Sequence, residues 1–179
     1  MNEQTFSLQP FPSNESPPNL KISGNIARNG NKLAIRYMVE GDLKEIAIFP
    51  PSKTPSRKHK LWEDTCFEFF LGIKNSAQYW EFNLSTAGHW NVYRLDRYRQ
   101  GMQEETAFEK LQFDVQNQGE GLALVLDLDL GKIISVEQTI EVGITTVIKY
   151  RNGEVTYWAL THRGVEADFH LRDTFIVNL

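Results

Sequence analysis

The sequence predicts an all-β fold, an antiparallel β-sandwich or barrel in one domain with very little helix. Two observations carry that reading. Apolar residues alternate with polar ones at period two along nearly the whole chain of 179 residues. Turn-forming Gly, Asn and Pro clusters separate these runs at short intervals, which suits about ten short strands.

The first nineteen residues hold four prolines among Ser, Asn and Glu, and are expected to form an irregular lead-in. Residues 20–179 are expected to form the single domain. Leu20–Arg28 and Lys32–Val39 flank Asn29-Gly30-Asn31, a hairpin signal. Lys44–Phe49 reads as a further strand. Pro50 to Lys60 carries three prolines and five Lys, Arg or His residues, and reads as a long solvated basic loop. Thr65–Leu71, Tyr79–Ser85 and Asn91–Leu95 follow as strands. Gln103–Lys110 is the one plausible helical turn, with Glu104, Glu105 and Glu109 exposed. Leu111–Asn117 and Leu122–Leu130 come next. In the second of these, five leucines share one face, while Asp127 and Asp129 take the other. Ile140–Tyr150 and Val155–Leu160 flank another Asn-Gly turn, and Thr174–Leu179 ends the chain on a docked strand.

Composition sets the bounds. Hydrophobic residues make up 41% and charged residues 23%, as in soluble globular proteins. A net charge of −4 offers no general attraction for phosphate backbones, so nucleic acid is not an expected partner. No apolar run approaches the ~20 residues of a membrane span, so no membrane partner is expected either. One cysteine, Cys66, excludes an internal disulfide and a cysteine zinc cage, and reads as packing. The N-terminus lacks the basic and apolar segments of a secretory signal, so the expected location is cytoplasmic.

The polar information sits in the central hairpin. By alternation Phe67, Phe69 and Leu71 share a face with Trp80, Phe82 and Leu84. Glu68, Glu81 and Asn83 then share the opposite face, which Asn91, Tyr93 and Arg97 could extend. A carboxylate between two phenylalanines is costly to bury unless it is paired. Carboxylates and amides suit the hydroxyls of a polyol, and indole or phenol rings suit sugar C–H groups. Without a ligand, the same face reads as the wet side of a sandwich with ion pairs to Arg94 or Arg99.

Two stretches resemble the bacterial branch of the DOMON-like family, which is related to the family-nine carbohydrate-binding modules. They are Leu61-Trp62-Glu63-Asp64-Thr65-Cys66-Phe67-Glu68-Phe69-Phe70-Leu71 and Tyr79-Trp80-Glu81-Phe82-Asn83-Leu84-Ser85-Thr86-Ala87-Gly88-His89-Trp90-Asn91-Val92-Tyr93. Tyr93 to Met102, Tyr157 to His162 and Asp168-Phe169-His170 fit as well. The resemblance spans about residues 20–179. It implies an immunoglobulin-like, jelly-roll-type β-sandwich that binds sugars or haem, usually outside the cytoplasm.

The expectation is a non-catalytic module for a saccharide or other small polyol, with no cofactor. Trp62, Trp90 and Trp158 are the candidate stacking rings, and Trp80 should be core. Glu68, Glu81 and Asn83 are candidate hydroxyl binders, with His162 and His170 in a loop at a sheet end. A structural or protein-interaction sandwich is the competing class. Haem would need axial Met and His ligands. Met38 and Met102 are present, with His59, His89, His162 and His170, but Met38 lies mid-strand among apolar residues and reads as core. His162, Asp168 and His170 could hold a metal, though loop histidines more often bond carbonyls or carboxylates. Glu68 and Glu81 also admit a two-carboxylate glycosidase, but an open sheet face would do little to separate their pKa values.

Overall fold

The computed structural model describes residues 2–13 and 19–179. The strands are β1 (Asn2–Pro10), β2 (Leu20–Asn29), β3 (Lys32–Gly41), β4 (Cys66–Ile73), β5 (Tyr79–Ser85) and β6 (Trp90–Leu95). They continue with β7 (Gln103–Glu104), β8 (Phe113–Gln118), β9 (Gly121–Asp129), β10 (Ile140–Lys149), β11 (Val155–Ala159) and β12 (Val177–Asn178). No α-helix occurs among the described residues; four short 3₁₀ turns link strands.

All strands pair antiparallel in one curled sheet, in the order β7-β6-β5-β4-β10-β11-β1-β2-β3-β9-β8. The short β12 lies against β10 where β11 leaves it free. The curl passes through β1. Its residues Asn2 to Leu8 pair with β2, while Gln9 and Pro10 pair with β11.

This corrects the expected irregular N-terminus over residues 2–10. Phe6 and Leu8 are buried between exposed Thr5, Ser7 and Gln9, a period-two pattern that the nearby prolines mask. Residues 14–18 of that lead-in, with two of its prolines, lie outside the described residues.

Three other segments differ from expectation. Lys44–Phe49 forms no strand: Leu43–Glu45 is a 3₁₀ turn, and Ile46 makes one bridge to Tyr150. The free edge of β3 is already taken by β9, so this run has no ladder to join. Gln103–Lys110 is not helical. Gln103 and Glu104 pair with β6, and two of the glutamates bind inward while Glu109 stays exposed: Glu104 accepts from Asn91 Nδ2 at 3.0 Å and Glu105 from Trp80 Nε1 at 3.0 Å. The basic loop is anchored at Arg57. Its guanidinium donates to Asn91 Oδ1 at 2.8 Å and to the Glu105 and Phe108 carbonyls, and stacks 4.3 Å from the Trp90 ring.

The main core lies inside the curl. β2, β3 and β9 supply Ile22, Ile26, Ile35, Leu124 and Leu126 from one half, and β4, β5 and β10 supply Phe67, Phe69, Phe82 and Ile144 from the other. Phe69 and Phe82 stack at 4.5 Å. Tyr37 crosses between the halves: its ring meets Phe67 at 5.1 Å, and its hydroxyl donates 2.7 Å to the Glu68 carbonyl. Trp80 packs here, as alternation requires.

A second, smaller cluster sits on the other side of β4 and β5, built from Phe70, Tyr79, Tyr93, Leu95 and Phe175. The C-terminal segment seats against this face because glycines leave room for it. A Cβ at Gly143 would stand 2.8 Å from the Phe175 ring, and one at Gly72 would strike the Arg172 guanidinium.

Phe69→Ala should lower unfolding free energy by about 3–5 kcal/mol, since it removes one of two stacked, fully buried rings and leaves a cavity. Urea denaturation measures it; a loss below about 1 kcal/mol would mean the core collapses around the gap.

Candidate functional site

Register places the polar side chains of four neighbouring strands on one face. Glu68 of β4 lies opposite Asn83 of β5 and Thr145 of β10, Phe70 lies opposite Glu81, and Glu81 lies opposite Tyr93 of β6. This is the face predicted from alternation, but it is not wet. Glu68 is 2% exposed, Glu81 4% and Asn83 0%. The expectation of an open face is therefore corrected: the C-terminal segment and neighbouring loops wall it in.

What remains is a cleft of about 310 Å³, with Glu68, Glu81 and Phe70 in its lining. Trp62 reaches it from the 3₁₀ turn Leu61–Glu63, and Tyr157 from β11. Arg99, Met102, Phe169 and His170 complete most of its wall. Trp62 is exposed at the surface and meets Tyr93 edge-on at 5.9 Å.

The carboxyls are short of donors. Glu81 Oε1 accepts from Asn83 Nδ2 at 3.0 Å. Glu68 Oε1, Glu81 Oε2 and Asn83 Oδ1 are buried with no hydrogen-bond partner among the described residues. Burial, and then the charge of Glu81, push the Glu68 carboxyl well above the usual carboxylate range. Burial likewise raises Glu81 to about 7, against a smaller opposing effect of the Asn83 hydrogen bond. Both carboxyls are thus moved the same way, and neither is held as a fixed anion.

His170 is set by a relay. Arg99 N–H donates to Tyr79 Oη at 3.2 Å, and Tyr79 Oη lies 2.8 Å from His170 Nδ1. With the tyrosine O–H given to Nδ1, the ring proton sits on Nε2, 3.7 Å from Glu81 Oε2. Burial, then the Arg99 charge, lower the His170 pKa to about 4, so the ring is neutral at pH 7. Asp168 arranges this wall: it pairs with Arg99 at 2.9 Å, accepts from Tyr98, and accepts the His170 backbone N–H at 3.0 Å.

Of the residues chosen from sequence, Trp62, Glu68, Glu81 and His170 meet in the cleft, and Asn83 stands behind Glu81. Three do not join them. Trp90 and Trp158 are 3% and 2% exposed in the main core, so neither offers an open ring face. Trp90 follows Leu84 into the core by register, and Trp158 is the inward partner of Tyr157. His162 donates to the Gln9 carbonyl at 2.9 Å and meets the Phe11 ring, which ties β1 down instead. Met38 is half-buried on the side of β3 away from Ile35 and Tyr37, not in the core. Among the described residues no group of three or more His, Cys, Asp or Glu side chains is placed to hold a metal, the His162–Asp168–His170 set included.

Tyr157 and Phe169 were missed, and Arg99, expected to pair with the carboxyls of this face, pairs with Asp168 instead. Alternation with Trp158 could have located Tyr157. Arg99 meets Asp168 across 69 residues of chain, which no local pattern signals.

The titration of this wall has opposite signs at its two members. A raised Glu81 adds stability below its unfolded pKa of 4.5 and loses it as pH rises through about 7. A lowered His170 adds stability above 6.5 and loses it as pH falls toward about 4. Glu81→Gln should therefore gain on the parent chain by about 3 kcal/mol between pH 4.5 and 7, and His170→Gln should lose its relative advantage over the same rise. Urea denaturation at several pH values reads both; a pH-independent difference for Glu81→Gln would show that the carboxyl is hydrated.

No family model matches the chain, and no curated protein matches it. A crystal structure described as "a putative carbohydrate-binding protein from Bacteroides uniformis" superposes with a TM-score of 0.72 at 16% identity. The match covers 97% of this chain and 84% of that one. At this identity the likeness shows a shared all-β fold.

Proposed function

We propose that the chain is a non-catalytic binding module for a saccharide or another small polyol, held in the cleft between Trp62, Glu68 and Glu81. The carrying observation is that Glu68 and Glu81 line the cleft and that each has a buried carboxyl oxygen, Oε1 and Oε2 respectively, without a donor among the described residues. A buried acceptor left without a donor costs about 1–3 kcal/mol, so a ligand that supplies O–H or N–H groups relieves a standing penalty. Trp62 and Tyr157, both partly exposed at the margin, offer flat apolar surface to sugar C–H groups.

Three further points support the reading. The Trp62 to Tyr93 stretches resemble the DOMON-like family and its sugar-binding relatives. The Bacteroides uniformis neighbour of the same fold is described as carbohydrate-binding. The reading takes the curled sheet as a jelly-roll-type, immunoglobulin-like sandwich, which agrees with two half-sheets sharing one core. It treats the chain as a binding protein because the neighbour of the same fold is described as a binding protein and not as an enzyme.

A broad glycan array followed by calorimetry tests this. Hits should bind with Kd on the order of micromolar to millimolar, ~4–8 kcal/mol, and none should be hydrolysed. Trp62→Ala should weaken binding about tenfold or more while leaving the melting temperature near that of the parent, because its ring sits at the margin. Absence of binding across the array, or turnover of a glycoside, overturns the reading.

A further inference from the structure

Apart from the protons that its two carboxyls carry, the cleft is rich in acceptors and poor in donors. Glu68 and Glu81 line it on side chains at least nine-tenths buried, and one oxygen of each, Glu68 Oε1 and Glu81 Oε2, has no hydrogen-bond partner among the described residues. The donors in its wall are largely committed. Arg99 Nη2 is held by Asp168, and His170 Nε2 stands 3.7 Å from Glu81, too far for a hydrogen bond. A neutral hydroxyl brings one donor but also two lone pairs, which only a protonated Glu68 or Glu81 would serve, so it leaves the pair short of two full ionisations. A primary ammonium brings three donors, no acceptor, and the charge that two buried carboxylates lack.

The charged groups around the pair leave room for that charge. On the strands, Glu68 and Glu81 are accompanied by Cys66, Tyr79 and Tyr93, none of them cationic. Lys149 on β10 is taken up by Asp64 at 2.8 Å. From the loops come Arg99, balanced by Asp168, and the neutral His170. Trp62, Phe70, Tyr157 and Phe169 surround the carboxyls with rings, whose negative faces attract a cation.

We propose that the cleft selects an amino sugar, with its primary ammonium seated between Glu68 and Glu81 and its ring against Trp62. This deepens the saccharide reading and rests on it. The bound ammonium would hold both carboxylates ionised, so binding displaces the protons they carry when the cleft is empty.

Titration calorimetry on the full chain tests it. The probes are glucosamine and its β-1,4-linked oligomers, the matching N-acetylated and glucose oligomers, and a simple aliphatic diamine. Each is run in two buffers of different ionisation enthalpy. The amino oligomers should bind about tenfold or more tighter than their neutral counterparts, with protons released. Their affinity should rise as pH increases toward about 7, where Glu81 ionises. Glu81→Gln should reduce the preference for the amino form and the proton release together, and Glu68→Asp should reduce the preference while keeping the charge. Should either variant fail to fold, proton release by the parent chain decides. Neutral oligomers that bind as tightly as amino oligomers overturn the ammonium inference and leave the saccharide reading standing. A diamine that binds as tightly as the amino oligomers also overturns it. No binding of any sugar overturns both.

Discussion

Strands β4 and β5 have a bonded neighbour on each edge, so every side chain they carry must point to one of two faces, and here both faces are covered. The inner face meets the opposing half-sheet through Phe67, Phe69, Phe82 and Tyr37. The outer face meets the C-terminal segment through Phe70, Tyr79 and Phe175. Residues whose alternation suits a half-wet strand therefore end up dry on both sides. Glu68 and Glu81 are the residues on which this bears hardest, because a carboxyl sealed under a second cover keeps its desolvation cost unless something donates to it.

The second cover depends on small residues as much as on large ones. Gly143 and Gly72 remove Cβ atoms where Phe175 and the Arg172 guanidinium come down onto the sheet. Arg172 then donates to the Ile73 carbonyl and pairs with Glu141 at 2.8 Å, which fixes the far end of the segment. Between these anchors and the Arg99–Asp168 pair, the loop through Phe169 and His170 is held as a wall. Closure leaves a narrow gap beside Glu68 and Glu81, and that gap is the cleft. The arrangement is costly in buried acceptors, a direct consequence of how this segment packs.

At the join between the two halves β1 makes the curl possible. One strand pairs with β2 along most of its length and hands its last two residues to β11. Phe6 sends its ring against Tyr37 at 5.5 Å, and His162 ties the strand end at Gln9. The histidine selected as a candidate ligand residue is thus part of the join between the halves.

Local alternation alone established much of this protein. It set the β class, the main hairpins, the inward faces of β4, β5 and β9, the core position of Trp80, and the shared face of Glu68, Glu81 and Asn83. These follow from the two-residue period of a strand, which is written in adjacent letters. It could not show that β1 is a strand, because the nearby prolines hide a short alternating run whose partners lie far along the chain. It could not sort the tryptophans either: Trp62, Trp90 and Trp158 are alike in type, and only register and the neighbouring sheet put two in the core and leave one at the cleft. Whether the polar face would be wet or dry was decided by a segment some ninety residues further on. Tyr79 and His170 meet across 91 residues and Arg99 and Asp168 across 69. Burial and pKa depend on such contacts, and no period in the chain encodes them.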